Sequence, residues 1–217
     1  MGRRALRKID PELDLSRHFR AAEDLPNPLD GPMLFGRAAP LEIEVGSGKG
    51  LFLAAAAQRQ PEHDFLGIEV ARKYARYAAS RLLKQASPNA LLVCGDALEI
   101  FRERIPDASL AAVHVYFPDP WWKKRHRRRR VMNEAFLHDV QRALVPGGSL
   151  HFWTDVEEYF QSTLELIATV SQLAGPLPVP ERPAEHHLDY RTHFERRTRL
   201  EELPVYRAEF QRPNTSP

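Results

Sequence analysis

Cysteine is almost missing from this sequence, which has Cys94 as its only one. A framework of intramolecular disulfides is therefore excluded, and the composition fits the reducing cytosol. With one cysteine available, His186, His187 and His193 lack a partner set for zinc. We therefore expect no metal site.

Long hydrophobic runs are also lacking. No apolar run reaches the length of a membrane span, and no apolar stretch follows the basic residues near the N-terminus as it would in a signal peptide. The hydrophobic fraction of 43% is nonetheless ordinary for a globular protein. These features predict a cytoplasmic protein that has a full hydrophobic core and does not contact membranes.

Excess charge of one sign is confined to one segment. The formal net charge of the whole chain is only +2, but residues 118–130 carry seven Lys or Arg and a single acid, Asp119. The rest of the chain is therefore slightly acidic. A mildly acidic body with one strongly basic segment indicates a localised contact with a polyanion. The basic run alone is equally compatible with a solvated surface.

The first 38 residues lack a clean periodicity and are interrupted by prolines. We predict that residues 1–38 form a basic N-terminal arm, flexible at least at its start, and that residues 39–217 form one domain. From Leu41 onward short apolar runs alternate with helical segments, which indicates a parallel sheet with helices on both faces. The pattern predicts strands over 41–45, 65–69, 91–94, 110–117, 150–154 and 203–210, and helices over 50–60, 72–85, 97–104, 133–144 and 156–173.

A glycine-rich turn follows the first strand, in the segment LEIEVGSGKG at 41–50. Gly46 and Gly48 have no Cβ, so the backbone there can pass close to a ligand. The turn does not match the P-loop, which needs Ser or Thr where Gly50 stands. It also fails the dinucleotide fingerprint, which needs Gly or Ala where Leu51 stands. By itself the turn is equally typical of a tight structural turn.

Acidic residues stand at the ends of the first three predicted strands: Glu44, Glu69 and Asp96. They would share the carboxyl edge of the sheet, where open α/β folds bind ligands. A carboxylate after the second strand can accept two ribose hydroxyls, and one after the third can accept an adenine amino proton. One near the turn favours a sulfonium or ammonium cation. Taken singly, each is more typical of an ordinary surface carboxylate.

This layout resembles that of class I methyltransferases from Leu41 to about Thr154. The resemblance implies a Rossmann-like α/β fold with a mostly parallel, seven-stranded sheet and helices on both faces. It also implies S-adenosyl-L-methionine as the cofactor, with a binding set of Glu44, Gly46, Gly48, Glu69, Asp96 and Asp119.

The segment HVYFPDPWWKKRHRRRR at 114–130 is far more specific. It resembles the bacterial tRNA (guanine-N7)-methyltransferase family (TrmB). Four further segments share this resemblance: GIE at 67–69, GDA at 95–97, LVPGGSLHFWTD at 144–155 and YRTHFERR at 190–197. That resemblance covers roughly residues 41–197. It implies methyl transfer to N7 of guanine 46 in the variable loop of tRNA, by a monomer or weak homodimer. Trp122, the arginine-rich run at 127–130 and Thr198 depart from the family pattern.

Guanine-N7 methylation suits a chain without a nucleophilic dyad, because N7 has an available lone pair and needs no deprotonation. Catalysis then depends on alignment and on a carboxylate that offsets positive charge developing on the purine. Asp119 is the candidate catalytic residue, because Pro118 and Pro120 restrict its backbone. Pro-Asp-Pro is also good turn chemistry, so a purely structural Asp119 is the alternative.

The tRNA is expected to contact the basic segment and two later blocks. Trp121 and Trp122 could stack on a base or belong to the core. The resemblance places Asp155, Thr192, Phe194 and Glu195 in the base pocket, although ordinary loop capping would also explain them. The full substrate-binding set is Lys123, Arg125, His126, Arg127, Arg128, Arg129, Arg130, Asp155, Thr192, His193, Phe194 and Glu195.

Two other functions remain open at this point. A methyltransferase acting on a small molecule or a protein would not need the basic segment. A nucleic-acid-binding module with a vestigial cofactor site would not need Glu44, Glu69, Asp96 and Asp119 together. Salt-dependent tRNA binding separates the tRNA methyltransferase from the first of these, and cofactor binding separates it from the second.

Overall fold

The computed structural model describes residues 6, 8–179 and 190–214. The basic start of the predicted arm, including Arg3 and Arg4, and the histidines His186 and His187 lie outside the described residues. Within the described residues the chain forms one eight-stranded sheet in the order β1-β4-β3-β2-β5-β6-β8-β7. The strands are β1 (Phe19–Ala21), β2 (Leu41–Val45), β3 (Asp64–Glu69), β4 (Ala90–Cys94), β5 (Leu110–Tyr116), β6 (Leu144–Thr154), β7 (Ala174–Leu177) and β8 (Tyr206–Gln211).

Helices connect most of these strands. They are α1 (Gly31–Phe35), α2 (Leu51–Arg59), α3 (Arg72–Lys84), α4 (Ala97–Arg104), α5 (Glu134–Ala143), α6 (Glu157–Val170) and α7 (His193–Leu200). Short 3₁₀ helices occupy Ala22–Asp24 and Lys124–Arg129. Asn133, the first residue of the helix predicted over 133–144, is the N-cap of α5, because its side chain accepts a hydrogen bond from the Phe136 backbone N–H.

The sheet is parallel from β1 through β6 and then reverses. β8 pairs antiparallel with β6, and β7 pairs antiparallel with β8. The mostly parallel α/β class is therefore confirmed, and the expected number of seven strands is wrong by one. The strands at both edges lie outside the predicted ranges: β7, in which Ala174 pairs with Gln211 of β8, and β1, in which Phe19 pairs with Leu92 of β4. A three-residue strand is too short to show alternation, so its sequence gave no signal.

Two apolar layers enclose the sheet. On one face Ile43, Val113 and Phe152 pack with side chains of α4, α5 and α6, including Phe101, Leu137 and Tyr159. On the other face Phe65, Leu92 and Trp153 pack with side chains of α2 and α3, including Phe52, Leu53, Ala78 and Leu82. Both faces of the central strands are covered, which explains why the strands read as continuous apolar runs instead of alternating. This rigid sheet fixes the positions of the loops at its edges.

Candidate functional site at the carboxyl edge of the sheet

Five carboxylate residues stand where consecutive parallel strands end. Glu44 lies in β2 and Glu69 closes β3, while Asp96, Asp119 and Asp155 follow β4, β5 and β6. Because β4, β3, β2, β5 and β6 are neighbours in this order, these residues share one edge of the sheet, which we call the carboxyl edge. Open α/β sheets bind ligands at this edge. The structure thus gathers the acids that the sequence singles out.

Glu44 is a buried acid with an unsatisfied oxygen. It is 4% exposed, and among the described residues its Oε2 atom has no hydrogen-bond partner. Burial raises the pKa of Glu44 to about 8, although the Ser47 hydroxyl lowers it and the nearby charge of Glu69 adds to the rise. A buried carboxyl group without a partner is costly, so this position is suited to a cationic ligand.

The glycine turn beside Glu44 leaves room for such a ligand. Gly46 and Gly48 have φ angles of +80° and +54°, a region that side chains rarely adopt. A Cβ added at Gly46 would meet nothing within 4 Å, so open space lies next to the turn. Gly50 is required for a different reason, because a Cβ there would lie 2.6 Å from Cβ of Ala78 in α3. The turn therefore combines an open side with close helix packing.

Glu69 and Asp96 also have structural partners that sequence reasoning missed. The Glu69 carboxylate accepts the Gly48 N–H at 2.9 Å with Oε2 and the Ala71 N–H at 2.8 Å with Oε1. Asp96 is the N-cap of α4 and accepts the Leu98 N–H at 2.9 Å. Each carboxylate oxygen has two lone pairs, so these bonds leave acceptor capacity for ligand hydroxyl and amino groups. Glu69 thus ties the glycine turn to the end of β3.

Asp119 lies exposed in a strained loop. Phe117 and Trp121, on either side of the Pro-Asp-Pro segment, have φ angles of +50° and +46°. Such angles in non-glycine residues cost about 1–3 kcal/mol each and persist only where surrounding contacts enforce them. One such contact is the hydrogen bond from the Phe117 N–H to the Trp153 carbonyl at 2.8 Å. The loop is therefore held in a fixed conformation that presents Asp119 to solvent.

Arg130 is a second support of this loop, and its predicted role in tRNA binding stays a prediction without support from its contacts. The residue is 7% exposed, and its guanidinium lies 4.3 Å from the centre of the Tyr159 ring. Its Nε donates to the Pro120 carbonyl at 2.8 Å, and Nη2 donates to Glu158 of α6 at 2.8 Å. These contacts occupy the guanidinium inside the protein, so it is not available to a phosphate.

The preceding basic loop (residues 123–129) differs, because its described side chains are mostly exposed. Lys123, Arg125, Arg127, Arg128 and Arg129 are exposed, and His126 is half-buried; the side chain of Lys124 is outside the described set. Arg129 lies 5.1 Å from the centre of the half-buried Trp121 ring, whereas Trp122 is 68% exposed. A surface of guanidinium groups and aromatic rings therefore lies directly beside Asp119.

Thr192 and Glu195 make helix-capping contacts, which are the alternative to a role in the base pocket. Thr192 is the N-cap of α7 and accepts the Glu195 N–H at 3.0 Å. Glu195 is 2% exposed, and its Oε1 lies 3.3 Å from Arg199 and 3.6 Å from Arg207. A base-pocket role for Thr192 and Glu195 remains a prediction without support from these contacts.

Two neighbours of Thr192 have other contacts. Phe194 stacks on Phe117, with ring centres 6.2 Å apart, and therefore lies near the Asp119 loop. The Nε2 atom of His193 lies 3.4 Å from Arg81 of α3. Asp155 is exposed at the end of β6, on the same edge as Asp119. Phe194 and Asp155 are thus placed near the candidate base site, and His193 faces α3.

A buried polar network below the carboxyl edge was missed by the sequence reasoning. His114 Nε2 lies 2.6 Å from Oε2 of Glu42, and its Nδ1 lies 2.9 Å from the Tyr116 hydroxyl. The Tyr116 hydroxyl accepts from Arg191 at 3.1 Å, and His63 reaches the other oxygen of Glu42 at 2.6 Å. Burial lowers the pKa of His114, although its bond to Glu42 opposes the shift. A neutral His114 can donate from Nε2 to an ionised Glu42 and accept at Nδ1 from the Tyr116 hydroxyl, so that each hydrogen bond of His114 has one donor and one acceptor.

Among residues 6, 8–179 and 190–214, no group of three His, Cys, Asp or Glu side chains is placed to hold a metal ion. In the same part of the chain, no helix has the length and apolar character needed to cross a membrane.

Known proteins match most of this chain in sequence. A family model described as "Putative methyltransferase" matches residues 38–208. A tRNA (guanine-N(7)-)-methyltransferase of Rhodopirellula baltica is 53% identical over 214 residues, covering 96% of this chain and 79% of that protein. The protein of the same name from Alcanivorax borkumensis is 43% identical over 172 residues, covering 78% and 71%.

The fold also has a counterpart among solved structures. The crystal structure of a SAM-dependent O-methyltransferase from Thermotoga maritima has a TM-score of 0.53 at 17% identity, covering 86% of this chain and 64% of that one. At this identity the likeness concerns the fold alone. From the family model and the relatives together, this chain belongs to the tRNA (guanine-N7-)-methyltransferase family.

Proposed function

We propose that this protein transfers the methyl group of S-adenosyl-L-methionine to N7 of guanine 46 in the variable loop of tRNA, which forms 7-methylguanosine. The observation that carries the proposal is the position of Asp119. It is held in a strained loop at the carboxyl edge, between the glycine turn on one side and the exposed basic loop on the other. This arrangement supports a role for Asp119 between the cofactor and the RNA.

The residues around the glycine turn fit the methyl donor. S-adenosyl-L-methionine supplies an electrophilic methyl group on a positively charged sulfur. The unsatisfied Oε2 of Glu44 and the open space at Gly46 suit a cationic ligand at the turn. Glu69 at the end of β3 and Asp96 after β4 have acceptor capacity for the ribose hydroxyls and the adenine amino group.

Asp119 would act on the guanine base. Its carboxylate can accept hydrogen bonds from N1–H and the exocyclic amino group of guanine, which orients the N7 lone pair in line with the methyl group. Positive charge develops on the purine during transfer, and a fixed carboxylate stabilises it. No proton has to leave N7 before attack, so a base or nucleophile is not required. The strained loop keeps Asp119 in place and lowers the cost of orienting it.

The basic loop and its tryptophans would bind the RNA around the target base. Arg125 and Arg128 are exposed and suited to phosphate, while Trp122 offers a ring on which a base can stack. Phe194, stacked on Phe117, would complete the wall next to the base. We place this activity in the cytoplasm, in a monomer or weak homodimer that works without a metal.

Methylation of matched transcripts tests the proposal. One unmodified tRNA transcript carries guanine at position 46, and the other carries adenine there. With labelled S-adenosyl-L-methionine, we expect label in the first transcript and background in the second. Asp119→Asn should remove the label while retaining cofactor binding in calorimetry. Equal labelling of both transcripts would contradict the assigned position, and full activity of Asp119→Asn would contradict the assigned residue.

A further inference from the structure

Helix α3 carries several positive charges that no carboxylate among the described residues balances. Residues 72–84 include five Lys or Arg and no acid. Among the described residues, none of these five side chains lies within ion-pair distance of a carboxylate. In the basic segment, by contrast, Arg127 and Arg130 both pair with Glu158. Helix α3 therefore carries a second group of cations without a carboxylate partner, besides those of the basic loop.

Two of the α3 arginines are fixed on one aromatic ring. The guanidinium of Arg72 lies 5.5 Å from the centre of the Phe19 ring, and that of Arg76 lies 5.9 Å from the same centre. Like charges four residues apart on a helix repel each other. Phe19 nonetheless holds both groups beside its ring, where an anion between them would relieve the repulsion. Exposed Lys73 lies next to the pair.

This pair lies at the edge of the sheet that carries the active site. Arg72 is three residues beyond Glu69, whose carboxylate accepts the Ala71 N–H. α3 follows β3, and the Asp119 loop follows β5; only β2 separates these strands. Adjacent strands are about 4.8 Å apart, so the ends of β3 and β5 are roughly 10 Å apart. One nucleic-acid strand, with a charge about every 3.4 Å, easily spans that separation.

We propose that Arg72, Lys73 and Arg76, here called the α3 basic face, form a second phosphate-binding site for the tRNA, distinct from the basic loop. The proposal rests on the proposed function, because the occupant is the backbone of the same tRNA whose guanine reaches Asp119. The basic loop would hold phosphates next to the target nucleotide. The α3 basic face would hold phosphates a few nucleotides away, and two separate sites would fix the orientation of the tRNA on the enzyme.

The double variant Arg72→Gln/Arg76→Gln tests this site. Its tRNA dissociation constant is measured over a range of salt concentrations and compared with that of the wild type. Each lost phosphate contact lowers the log–log slope by roughly 0.7–0.9, so we expect a decrease of roughly 1.4–1.8. At about 0.1 M salt the same relation gives roughly 25- to 60-fold weaker binding.

Two further variants control for charge and for folding. Arg59→Gln/Arg102→Gln removes the same charge from exposed positions on α2 and α4 and should leave the slope unchanged. Arg72→Lys/Arg76→Lys keeps the charge and should restore most of the slope. A slope for Arg72→Gln/Arg76→Gln equal to that of wild type overturns the α3 basic face alone, if the wild type methylates tRNA. A wild type that neither binds nor methylates tRNA overturns the proposed function and this site with it.

Discussion

Arg130 and Arg127 contact the same carboxylate from different surroundings, and this gives a matched test of how the Asp119 loop is held. Nη2 of Arg130 lies 2.8 Å from Glu158, and its side chain is 8% exposed. Nη1 of Arg127 lies 3.3 Å from the other oxygen of Glu158, and its side chain is 47% exposed. Only Arg130 also donates to the Pro120 carbonyl. The perturbation is Arg130→Ala, with Arg127→Ala as its control.

The magnitude follows from the contacts that Arg130→Ala removes. A hydrogen bond from a charged donor to the Pro120 carbonyl contributes about 1.5–3 kcal/mol. Stacking on Tyr159 contributes about 0.5–2 kcal/mol. The ion pair with half-exposed Glu158 adds about 0–1 kcal/mol, and these terms overlap because one side chain makes them all. We expect the free energy of unfolding to fall by about 2–4 kcal/mol, against about 0–1 kcal/mol for Arg127→Ala.

Arg130→Ala should also lower the rate of methyl transfer. Without the bond to Pro120, the strained loop can relax, and a displacement of about 1 Å costs up to a hundredfold in rate. We expect a single-turnover rate at least tenfold lower for Arg130→Ala, measured below its melting temperature with saturating tRNA and cofactor. Urea unfolding gives the stability of all three proteins. Equal, small losses of stability and rate for both variants would refute the role given to Arg130.

Three further substitutions test the acids of the carboxyl edge. The pKa of Glu44 is raised in the folded protein without cofactor, so the free energy of unfolding of the wild type should fall as the pH rises from about 4.5 to about 8. Glu44→Gln should flatten this pH dependence, which urea unfolding measures. If the free energy of unfolding depended on pH in the same way in both proteins, burial of the ionised Glu44 carboxylate would carry no cost. Glu69→Ala should weaken S-adenosyl-L-methionine binding at least tenfold, since charge-assisted hydrogen bonds contribute about 1.5–3 kcal/mol each. An unchanged affinity in calorimetry would mean that the ribose of the cofactor does not bind at Glu69. Asp119→Asn should lower the single-turnover rate by about 10²–10³ without weakening cofactor binding, and a near-normal rate would leave Asp119 as a turn residue.

The parts of the fold that the sequence predicted are those with a local signal. The run at 41–45, the glycines after it and Asn133 before α5 each have a pattern that a few residues define. β1 has no such pattern, because three residues become a strand only through pairing with β4. The N-cap of α7 at Thr192 did have a local signature, since Thr-x-x-Glu is typical of a helix start.

The site was predictable in its chemistry but not in its contacts. Four consecutive arginines at 127–130 are equivalent in the sequence, and only packing against α6 separates buried Arg130 from its exposed neighbours. Likewise, nothing local to Glu69 indicates that it accepts the Gly48 N–H from a different loop. The basic character of α3 was visible as composition, but its position at the carboxyl edge depends on the order of the strands.

The chemical identity of the product tests the central claim most directly. Unmodified tRNA is incubated with the wild-type protein and S-adenosyl-L-methionine, digested to nucleosides and separated against standards of each methylated guanosine. We predict that 7-methylguanosine appears in proportion to enzyme turnover and that no other methylated nucleoside accumulates. A methyl group at another guanine position or on another base, or no methylated nucleoside with cofactor bound, would contradict the assignment.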